Sequence, residues 1–264
     1  MQTISIINQK GGVGKSTTAA AIGTGLILKG YRMLFIDLDA QGNITHTLRA
    51  KPDSGVMAAL QEPDTIEQAI QRLPTAAIMH DKERIGAAAS YDVIASSPRL
   101  SAADTIIDGV GKEYRLKESL ELIKPLYDYC IIDTPPALGI LTVNALTAAA
   151  AAIIPAQADI YSLQGISQLG STIDTVKKYC NPKLEILGIV LTRYNGRAII
   201  SRELAELISS TAEKLNTKAY STTIRECTAI KESQAVRESI YTYAPRSNAA
   251  ADYTALLKEI LLEV

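Results

Sequence analysis

A glycine-rich stretch near the start of the chain carries two lysines. Residues 7–20 read INQKGGVGKSTTAA, and the letters GKS at 14–16 complete the pattern of a phosphate-binding loop, G-x-x-x-x-G-K-[ST]. That pattern requires a glycine at the position that Gln9 occupies. Beside it stands Lys10, a second cation in addition to Lys15. The stretch therefore predicts a phosphate site that lacks one glycine and has gained one lysine.

The elements on either side of this loop turn the pattern into a physical site. TISIIN before it reads as a strand and KSTTAAAIGTGLILKG after it as a helix, so the loop lies at the positive end of a helix dipole. Lys15 would reach the β- and γ-phosphates of a nucleotide, and the Ser16 hydroxyl would ligate Mg²⁺. A glycine-rich turn without a ligand is the alternative. The loop residues that we expect to contact the nucleotide are Gly11, Gly12, Val13, Gly14, Lys15, Ser16 and Thr17.

Three acidic side chains follow two predicted strands. Asp37 and Asp39 lie at the end of RMLFIDLD, and Asp133 follows YCII. Because ligands of parallel sheets bind beyond the carboxyl ends of the strands, we expect these carboxylates to meet the phosphate loop in one crevice. Asp133 fits an acid that holds Mg²⁺ through water, and the Thr-Pro-Pro at 134–136 fits a stiff turn that responds to the γ-phosphate. Each aspartate alone would fit a helix cap or a turn equally well.

The remaining chain alternates short apolar runs with longer amphipathic segments. This alternation is typical of a parallel sheet wrapped by helices. Predicted strands cover 3–8, 32–38, 91–96, 127–133, 151–156, 184–192 and 218–224. Predicted helices cover about 16–29, 99–107, 113–124, 140–149, 160–179, 199–214 and 248–262. Residues 50–90 are the least regular, with prolines between short helical pieces. We predict an α/β fold with a doubly wound, mainly parallel β-sheet in a single domain over residues 1–264.

Composition excludes several classes of protein. Of the 264 residues, 47% are apolar and 21% charged, as in a soluble globular protein, and the net charge of −1 gives no overall basic field for nucleic acid. Cys130, Cys180 and Cys227 form neither a zinc motif nor a disulfide scaffold, which suits a reducing cytosol. We expect no signal peptide, no membrane span and no helix-turn-helix domain before the first strand.

Several motifs together resemble the deviant-Walker-A ATPases of the ParA/Soj partition family. They are KGGVGKST (10–17), DLDAQGN (37–43), IIDTPP (131–136), LTVNAL (141–146), IIPAQADIYSLQGISQL (153–169), LGIVLTRYNGR (187–197) and YAPRSNAAADY (243–253). The resemblance covers nearly the whole chain and is weakest over 50–90. It implies a P-loop ATPase that uses ATP and Mg²⁺ and is dimeric only with ATP.

The resemblance also implies roles for particular residues. Lys10 would reach across a nucleotide-sandwich dimer to the phosphates of the other subunit, where a cation stabilises charge in the transition state. Asp39 would position the attacking water, while Lys15 serves the nucleotide of its own subunit. The adenine contacts that the resemblance implies are Thr192, Arg193, Asn195, Pro245 and Ser247.

In the same family, slow hydrolysis is stimulated by a ParB-type partner and the ATP-bound dimer binds DNA without sequence preference. The DNA contacts that we expect are Arg225, Lys231 and Arg237, in TTIRECTAIKESQAVRES. Soj-like relatives read IRRNVRISEA here, and Glu226 and Ala229 of this chain replace two of their arginines. A solvated helix face with paired charges is the alternative for this stretch.

Three classes of protein compete on these grounds. The first is a cytoplasmic, nucleoid-associated partition ATPase. Its main alternative is an orphan ATPase of the same family that positions a non-DNA cargo. The second is a MinD-like ATPase that cycles on membranes, for which the acidic Glu259 and Glu263 of the last helix have the wrong sign. The third is an electron-transfer or metal-carrier ATPase, for which the cysteine spacing is unsuitable. We expect the first class.

Overall fold

A single sheet organises the part of the chain that this computed structural model describes, residues 1–79 and 90–262. Its strands in these ranges are β1 (Gln2–Ile6), β2 (Met33–Asp37), β3 (Ile70–Pro74), β4 (Ser90–Ile94), β5 (Tyr129–Asp133), β6 (Ala151–Ala156), β7 (Glu185–Tyr194) and β8 (Ile224–Arg225). Their order is β3-β4-β2-β5-β1-β6-β7-β8. Every neighbouring pair is parallel except β3 and β4, which run antiparallel. The predicted doubly wound, mainly parallel sheet is confirmed.

Helices cover the sheet. In the described ranges the α-helices are α1 (Lys15–Ile27), α2 (Asn43–Thr47), α3 (Gly55–Gln61), α4 (Ala103–Ile106), α5 (Arg115–Ile123), α6 (Ile140–Ala148), α7 (Ile160–Tyr179), α8 (Ile199–Lys214), α9 (Thr228–Val236), α10 (Ile240–Tyr243) and α11 (Asn248–Leu261). Short 3₁₀-helices cover Pro63–Ala69, Thr75–Ala77, Pro98–Ala102, Lys112–Tyr114 and Lys124–Leu126. The predicted helix at 99–107 therefore starts as a 3₁₀ turn, because Pro98 and the residues after it form the tighter turn first.

Burial explains the sequence of the central strands. β2 and β6 are buried at every position, and β1 and β5 at every position after the first. Strands that are covered on both faces favour apolar residues, which is why β2, β5 and β6 show no polar alternation. β1 does alternate, and its buried Ser5 is satisfied by donating to the carbonyl of Ala145. The apolar residues separate into clusters on the two faces of the sheet, and the polar ends of β1, β2 and β5 are left to form a site.

The predicted strand at 218–224 is wrong for most of its length. Only Ile224–Arg225 forms strand β8. Ser221 and Thr222 instead donate backbone hydrogen bonds to the carboxylate of Glu259 on α11, at 3.2 and 3.0 Å. Because those N–H groups are directed at Glu259, they do not take part in a strand ladder.

Within residues 50–79, the short helical pieces that the prolines predicted are present as α3 and the 3₁₀-helices, but β3 was missed. β3 is an antiparallel edge strand whose residues are only half-buried or exposed. Its last residue, Pro74, is tolerated because an edge strand does not need every backbone N–H. Residues 80–89 lie outside the described ranges.

Helix α1 lies very close to the sheet at Gly23. A Cβ atom on Gly23 would lie 2.1 Å from Cε1 of the buried Phe35 on β2. Phe35 in turn packs edge-on against Tyr91, with ring centroids 6.1 Å apart. The glycine thus allows α1, which begins at the phosphate loop, to pack directly on an aromatic ring.

We expect Gly23→Ala to destabilise the fold by about 1–3 kcal/mol, because the added methyl overpacks the Phe35 ring. Chemical denaturation measures this as a lower free energy of unfolding. Gly165→Ala is the matched control, since Gly165 is also helical and a Cβ there would meet only Asn8 Oδ1 at 3.6 Å. Equal stabilities for the two variants would contradict the proposed contact between α1 and Phe35.

Candidate nucleotide-binding site

The glycine loop connects β1 to α1 and curves around open space. Gly12 and Gly14 have φ values of 75° and 85°, in the left-handed region that favours glycine. A Cβ atom built on Gly11 or Gly12 would meet nothing within 4 Å. The first helical turn closes with Thr18 N–H donating to Gly14 O at 2.8 Å. The loop therefore presents its backbone at a helix N-terminus with no side chain in the way, the geometry that binds phosphate.

The two lysines of the loop occupy different environments. Lys15 is 7% exposed and donates to the carbonyl of Lys10 at 3.1 Å. Burial lowers the pKa of Lys15, and the charges of Asp133 and Asp39 partly offset that effect. The Lys10 ammonium points away from the loop and donates to Asp159 Oδ2 at 2.5 Å, at the start of α7. Lys10 is therefore ion-paired within its own subunit.

The predicted aspartates meet Lys15 at the strand ends. The sheet register pairs Asp37 of β2 with Asp133 of β5, and Asp133 with Ile6 of β1. Burial, together with the charge of Asp37, raises the pKa of Asp133 well above its usual range. Burial also raises the pKa of Asp37 to about 6, although Asp37 accepts hydrogen bonds from Thr45.

The atoms of Asp133 provide a test of whether magnesium fits here. Its carboxylate is fully buried, and neither oxygen accepts a hydrogen bond of ordinary length among residues 1–79 and 90–262, although the nearby Ser16 hydroxyl partly offsets the rise in its pKa. A buried carboxylate without a partner is costly, so buried polar atoms of this kind generally belong to a ligand, an ion or a water. Mg²⁺ prefers oxygen ligands and keeps several of its waters. The donor set of Asp133 with the Ser16 hydroxyl fits a magnesium ion beside a phosphate chain.

Asp39 lies at the wall of the cleft and belongs to a segment that is tied to the sheet. It is 9% exposed, and its Oδ1 accepts the N–H of Gln41 at 3.0 Å. Its backbone carbonyl accepts the hydroxyl of Ser96, just beyond β4. The N–H of Ser96 donates to Thr45 Oγ1 at 2.8 Å. Residues 39–45 are thus anchored at both ends while the Asp39 side chain borders the cleft.

Four segments form the walls of this cleft. Loop residues between Gly11 and Thr17 form one wall, although the buried Val13 is not among the lining residues; residues between Asp39 and Thr47 form a second. Pro136 of the predicted Thr-Pro-Pro turn lines a third side, and Lys231, Gln234 and Ala235 of α9 a fourth. A second pocket continues from it and shares Gly12, Gly14, Thr17, Lys231 and Gln234. If the phosphates of a nucleotide lie in the first pocket, its base would lie in the second.

The predicted adenine contacts are only partly brought together. Thr192 and Arg193 line the second pocket, and Thr192 Oγ1 donates to Val13 O at 2.7 Å. Asn195, Pro245 and Ser247 are not among its lining residues. The Asn195 side chain accepts the N–H of Arg197, and the Ser247 hydroxyl accepts the N–H of Ala250 as the cap of α11. The sequence missed the remaining walls, which are Ile224, Glu226, Cys227, Ile230 and Tyr253.

The predicted DNA contacts do not share one surface. Arg225 is ion-paired with Asp252, at 2.5 Å from Nη2 to Oδ1, and lines the second pocket. Lys231 lines both pockets. Arg237 is exposed at the C-terminal end of α9, where its φ is 57°. The predicted helices did not include α9, although the alternative for this stretch, a solvated helix face, does place a helix here.

A phosphate loop between β1 and α1 at the centre of a parallel sheet, with an acid at the end of the adjacent strand, defines a P-loop nucleotide-binding protein. A family described as an AAA domain matches residues 1–186. The chain is 36% identical over 258 residues to the sporulation initiation inhibitor protein Soj of Bacillus subtilis, covering 97% of both chains. It is 34% identical to the chromosome partitioning protein ParA of Myxococcus xanthus, covering 98% of this chain and 87% of that one. The chain belongs to the ParA/Soj family of P-loop ATPases.

Solved structures are similar over the whole fold. Cobyrinic acid a,c-diamide synthase from Mycobacterium smegmatis, with a bound ATP analogue and magnesium, is 30% identical with a TM-score of 0.76, covering 99% of this chain and 94% of that one. McdA from Cyanothece in its apo form has a TM-score of 0.80 at 22% identity, covering 98% of this chain and 99% of that one. These likenesses support the assignment of the fold.

Proposed function

We propose that the chain is a DNA partition ATPase. In this proposal it binds ATP and Mg²⁺, forms an ATP-sandwich dimer, binds DNA without sequence preference and hydrolyses ATP slowly until a ParB-type partner stimulates it. The observation that carries the proposal is the buried, unpartnered Asp133 beside Lys15, with Asp39 at the edge of the same cleft. The partition names of the Soj and ParA relatives supply the biological role.

In this proposal the loop binds the phosphates. Gly11, Gly12 and Gly14 line the cleft, and the buried Lys15 ammonium would bind the β- and γ-phosphates. Ser16 and Asp133 would hold Mg²⁺, which supplies neutralisation of charge on the phosphate oxygens when it is bound. Thr192 and Arg193 would border the adenine.

Asp39 is suited to orient a water for attack on the γ-phosphate. Its carboxylate borders the phosphate cleft, while its backbone is fixed through Ser96. A carboxylate within hydrogen-bond reach of water can position it and accept its proton. Within the described ranges the Asp39 carboxylate accepts one hydrogen bond, from Gln41, so it has further lone pairs for this purpose.

Lys10 is the residue for which the dimer is needed. In the single subunit its ammonium pairs with Asp159, and it does not line the phosphate cleft. We propose that Lys10 leaves Asp159 when a second subunit brings its nucleotide across, and there stabilises charge as an arginine finger does. Dimerisation would then require ATP, because without phosphates two cationic loops would face each other.

The DNA-binding role rests on local basic residues and on the relatives. Of the three expected contacts, Arg237 is exposed, whereas Arg225 is held by Asp252 and Lys231 borders the nucleotide site. Among the helices in the described ranges, none combines the length and apolarity that a membrane span requires. We propose a cytoplasmic, nucleoid-associated cycle. The alternative is an orphan ATPase that carries a non-DNA cargo with the same cycle.

Lys10→Ala should abolish the ATP-dependent dimer while nucleotide affinity stays within about threefold, because Lys10 lies outside its own phosphate cleft. Size-exclusion chromatography with ATP and with ADP measures the dimer. Lys29→Ala is the control, since Lys29 is exposed at the opposite end of α1. A dimer that persists in Lys10→Ala would overturn the role across the interface.

Asp39→Ala should lower ATP turnover roughly a hundredfold and accumulate an ATP-bound dimer, because the attacking water loses its orienting group. Phosphate release measures the turnover, and light scattering measures the amount of dimer. Asp64→Ala, which removes an exposed carboxylate far from the loop in sequence, should behave as the wild type. Normal turnover in Asp39→Ala would show that another residue positions the attacking water.

Affinity for non-specific duplex DNA should be higher with ATP than with ADP, and it should fall by at least about tenfold between 50 and 200 mM salt. A gel-shift salt series measures both effects. Arg237→Gln should weaken binding and reduce the salt slope, whereas Lys258→Gln on α11 should not. Binding that shows neither nucleotide nor salt dependence would favour the cargo-positioning alternative.

A further inference from the structure

Helix α9 lies over the junction between the two pockets of the nucleotide site. Lys231 and Gln234 are one helical turn apart, on the same face of α9, and both line both pockets. The opposite side of the junction is formed by Gly12, Gly14 and Thr17 of the phosphate loop. A nucleotide that fills both pockets has to pass between this loop and α9.

Two contacts hold α9 in this position. Gln234 Nε2 donates to Thr17 Oγ1 at 3.0 Å, next to the proposed magnesium ligand in the loop. At the other end, the guanidinium of Arg49, just beyond α2, donates to the carbonyls of Val236 and Arg237 at 2.9 and 3.1 Å. A cation at the C-terminal end of a helix is favoured by the helix dipole. Helix α9 is therefore fixed to the phosphate loop and to the segment that carries Asp39.

The charges along the junction distinguish Lys231 from the other cations. Arg193 is ion-paired with Glu226, and Arg225 with Asp252. The hydrogen bond from Arg193 lowers the pKa of Glu226, to which the charge of Lys231 adds a smaller effect. Lys231 itself forms no ion pair with any residue of the described ranges. Of the cations Arg193, Arg225 and Lys231, it is therefore the exposed Lys231 that has no ion pair with a carboxylate of the described residues.

We propose that Lys231 binds the α-phosphate of the nucleotide held by its own subunit. This inference rests on the proposed binding of ATP and specifies a residue of that site outside the phosphate loop. The α-phosphate joins the β-phosphate to the ribose and base, so it lies where the two pockets meet. Lys15 reaches toward the β- and γ-phosphates from the loop, and Lys231 supplies the opposing cation from α9.

The assignment changes the expected role of Lys231. A lysine that contacts the α-phosphate contributes equally to ATP and ADP, since both nucleotides carry that group. It also brings α9 against the nucleotide, so that the helix forms part of the nucleotide-binding site. A DNA contact from Lys231 would instead leave nucleotide affinity unchanged in its absence.

The test is calorimetric titration of the full chain with ADP and with a slowly hydrolysed ATP analogue, both with magnesium. Lys231→Gln should raise the Kd for both nucleotides by about tenfold, the loss of one charge-assisted hydrogen bond. Lys231→Arg keeps the charge and should stay within about threefold of the wild type. Lys29→Gln removes a lysine at the far end of α1 and should change neither Kd. The Lys231→Gln effect should also shrink at high salt.

The outcomes separate this inference from the proposed function. A wild type that binds neither nucleotide overturns the proposed function, and the assignment of Lys231 with it. A wild type that binds while Lys231→Gln binds equally well overturns only the role of Lys231. A loss confined to the ATP analogue places Lys231 at the γ-phosphate and overturns the α-phosphate assignment. A Lys231→Arg variant as weak as Lys231→Gln shows a loss of packing instead of charge and also overturns it.

Discussion

The buried cluster of one lysine and three carboxylates at the ends of β1, β2 and β5 is the constraint on which the site depends. Lys15, Asp37 and Asp133 are removed from water, and ionised groups in such a place are costly unless they are paired and hydrogen-bonded. Hydrogen bonds satisfy Asp37, but the oxygens of Asp133 have no such partner in the described ranges. A divalent cation would supply positive charge to the carboxylates, and a phosphate chain would supply negative charge to Lys15. The strand order places β5 between β2 and β1, which is what brings the cluster together.

From this cluster a continuous set of contacts leads to the far wall of the cleft. Thr45 binds Asp37, and Arg49, one turn beyond it, binds the end of α9. Helix α9 returns to the phosphate loop through Gln234 and Thr17. The steps are hydrogen bonds, except that the chain itself joins Thr45 to Arg49. The segment that carries Asp39 and the helix that carries Lys231 are therefore mechanically joined, so closing one of them over a nucleotide would move the other.

Sequence predicted the parts of the site that short stretches encode. The phosphate loop, Asp39 and Asp133 follow from patterns of ten residues or fewer, and the central strands follow from uninterrupted apolar runs. The missed features depend on tertiary context. β3 is a strand only because β4 offers an antiparallel edge. In 218–224, Ala219 forms an isolated parallel bridge to Ile189, but Glu259 takes the N–H groups of Ser221 and Thr222, so that the ladder does not continue. The walls of the second pocket come partly from β8, α9 and α11, so no local pattern distinguishes Thr192 from Asn195.

The environment of Lys10 is compatible with both states of the proposed cycle, the single subunit and the ATP-bound dimer. Its partner Asp159 is 149 residues away in the chain, which is why spacing alone gave no sign of the pair. Both side chains are about three-tenths exposed, and ion pairs in such surroundings contribute about 1 kcal/mol or less. A triphosphate presented by a second subunit carries more negative charge than one carboxylate and would compete effectively for the ammonium. The ion pair with Asp159 thus gives Lys10 a defined position in the single subunit, and its small free energy would allow Lys10 to leave Asp159. Under the proposed function, Lys15 would serve the nucleotide of its own subunit, and the additional Lys10 would complete the site only in a dimer.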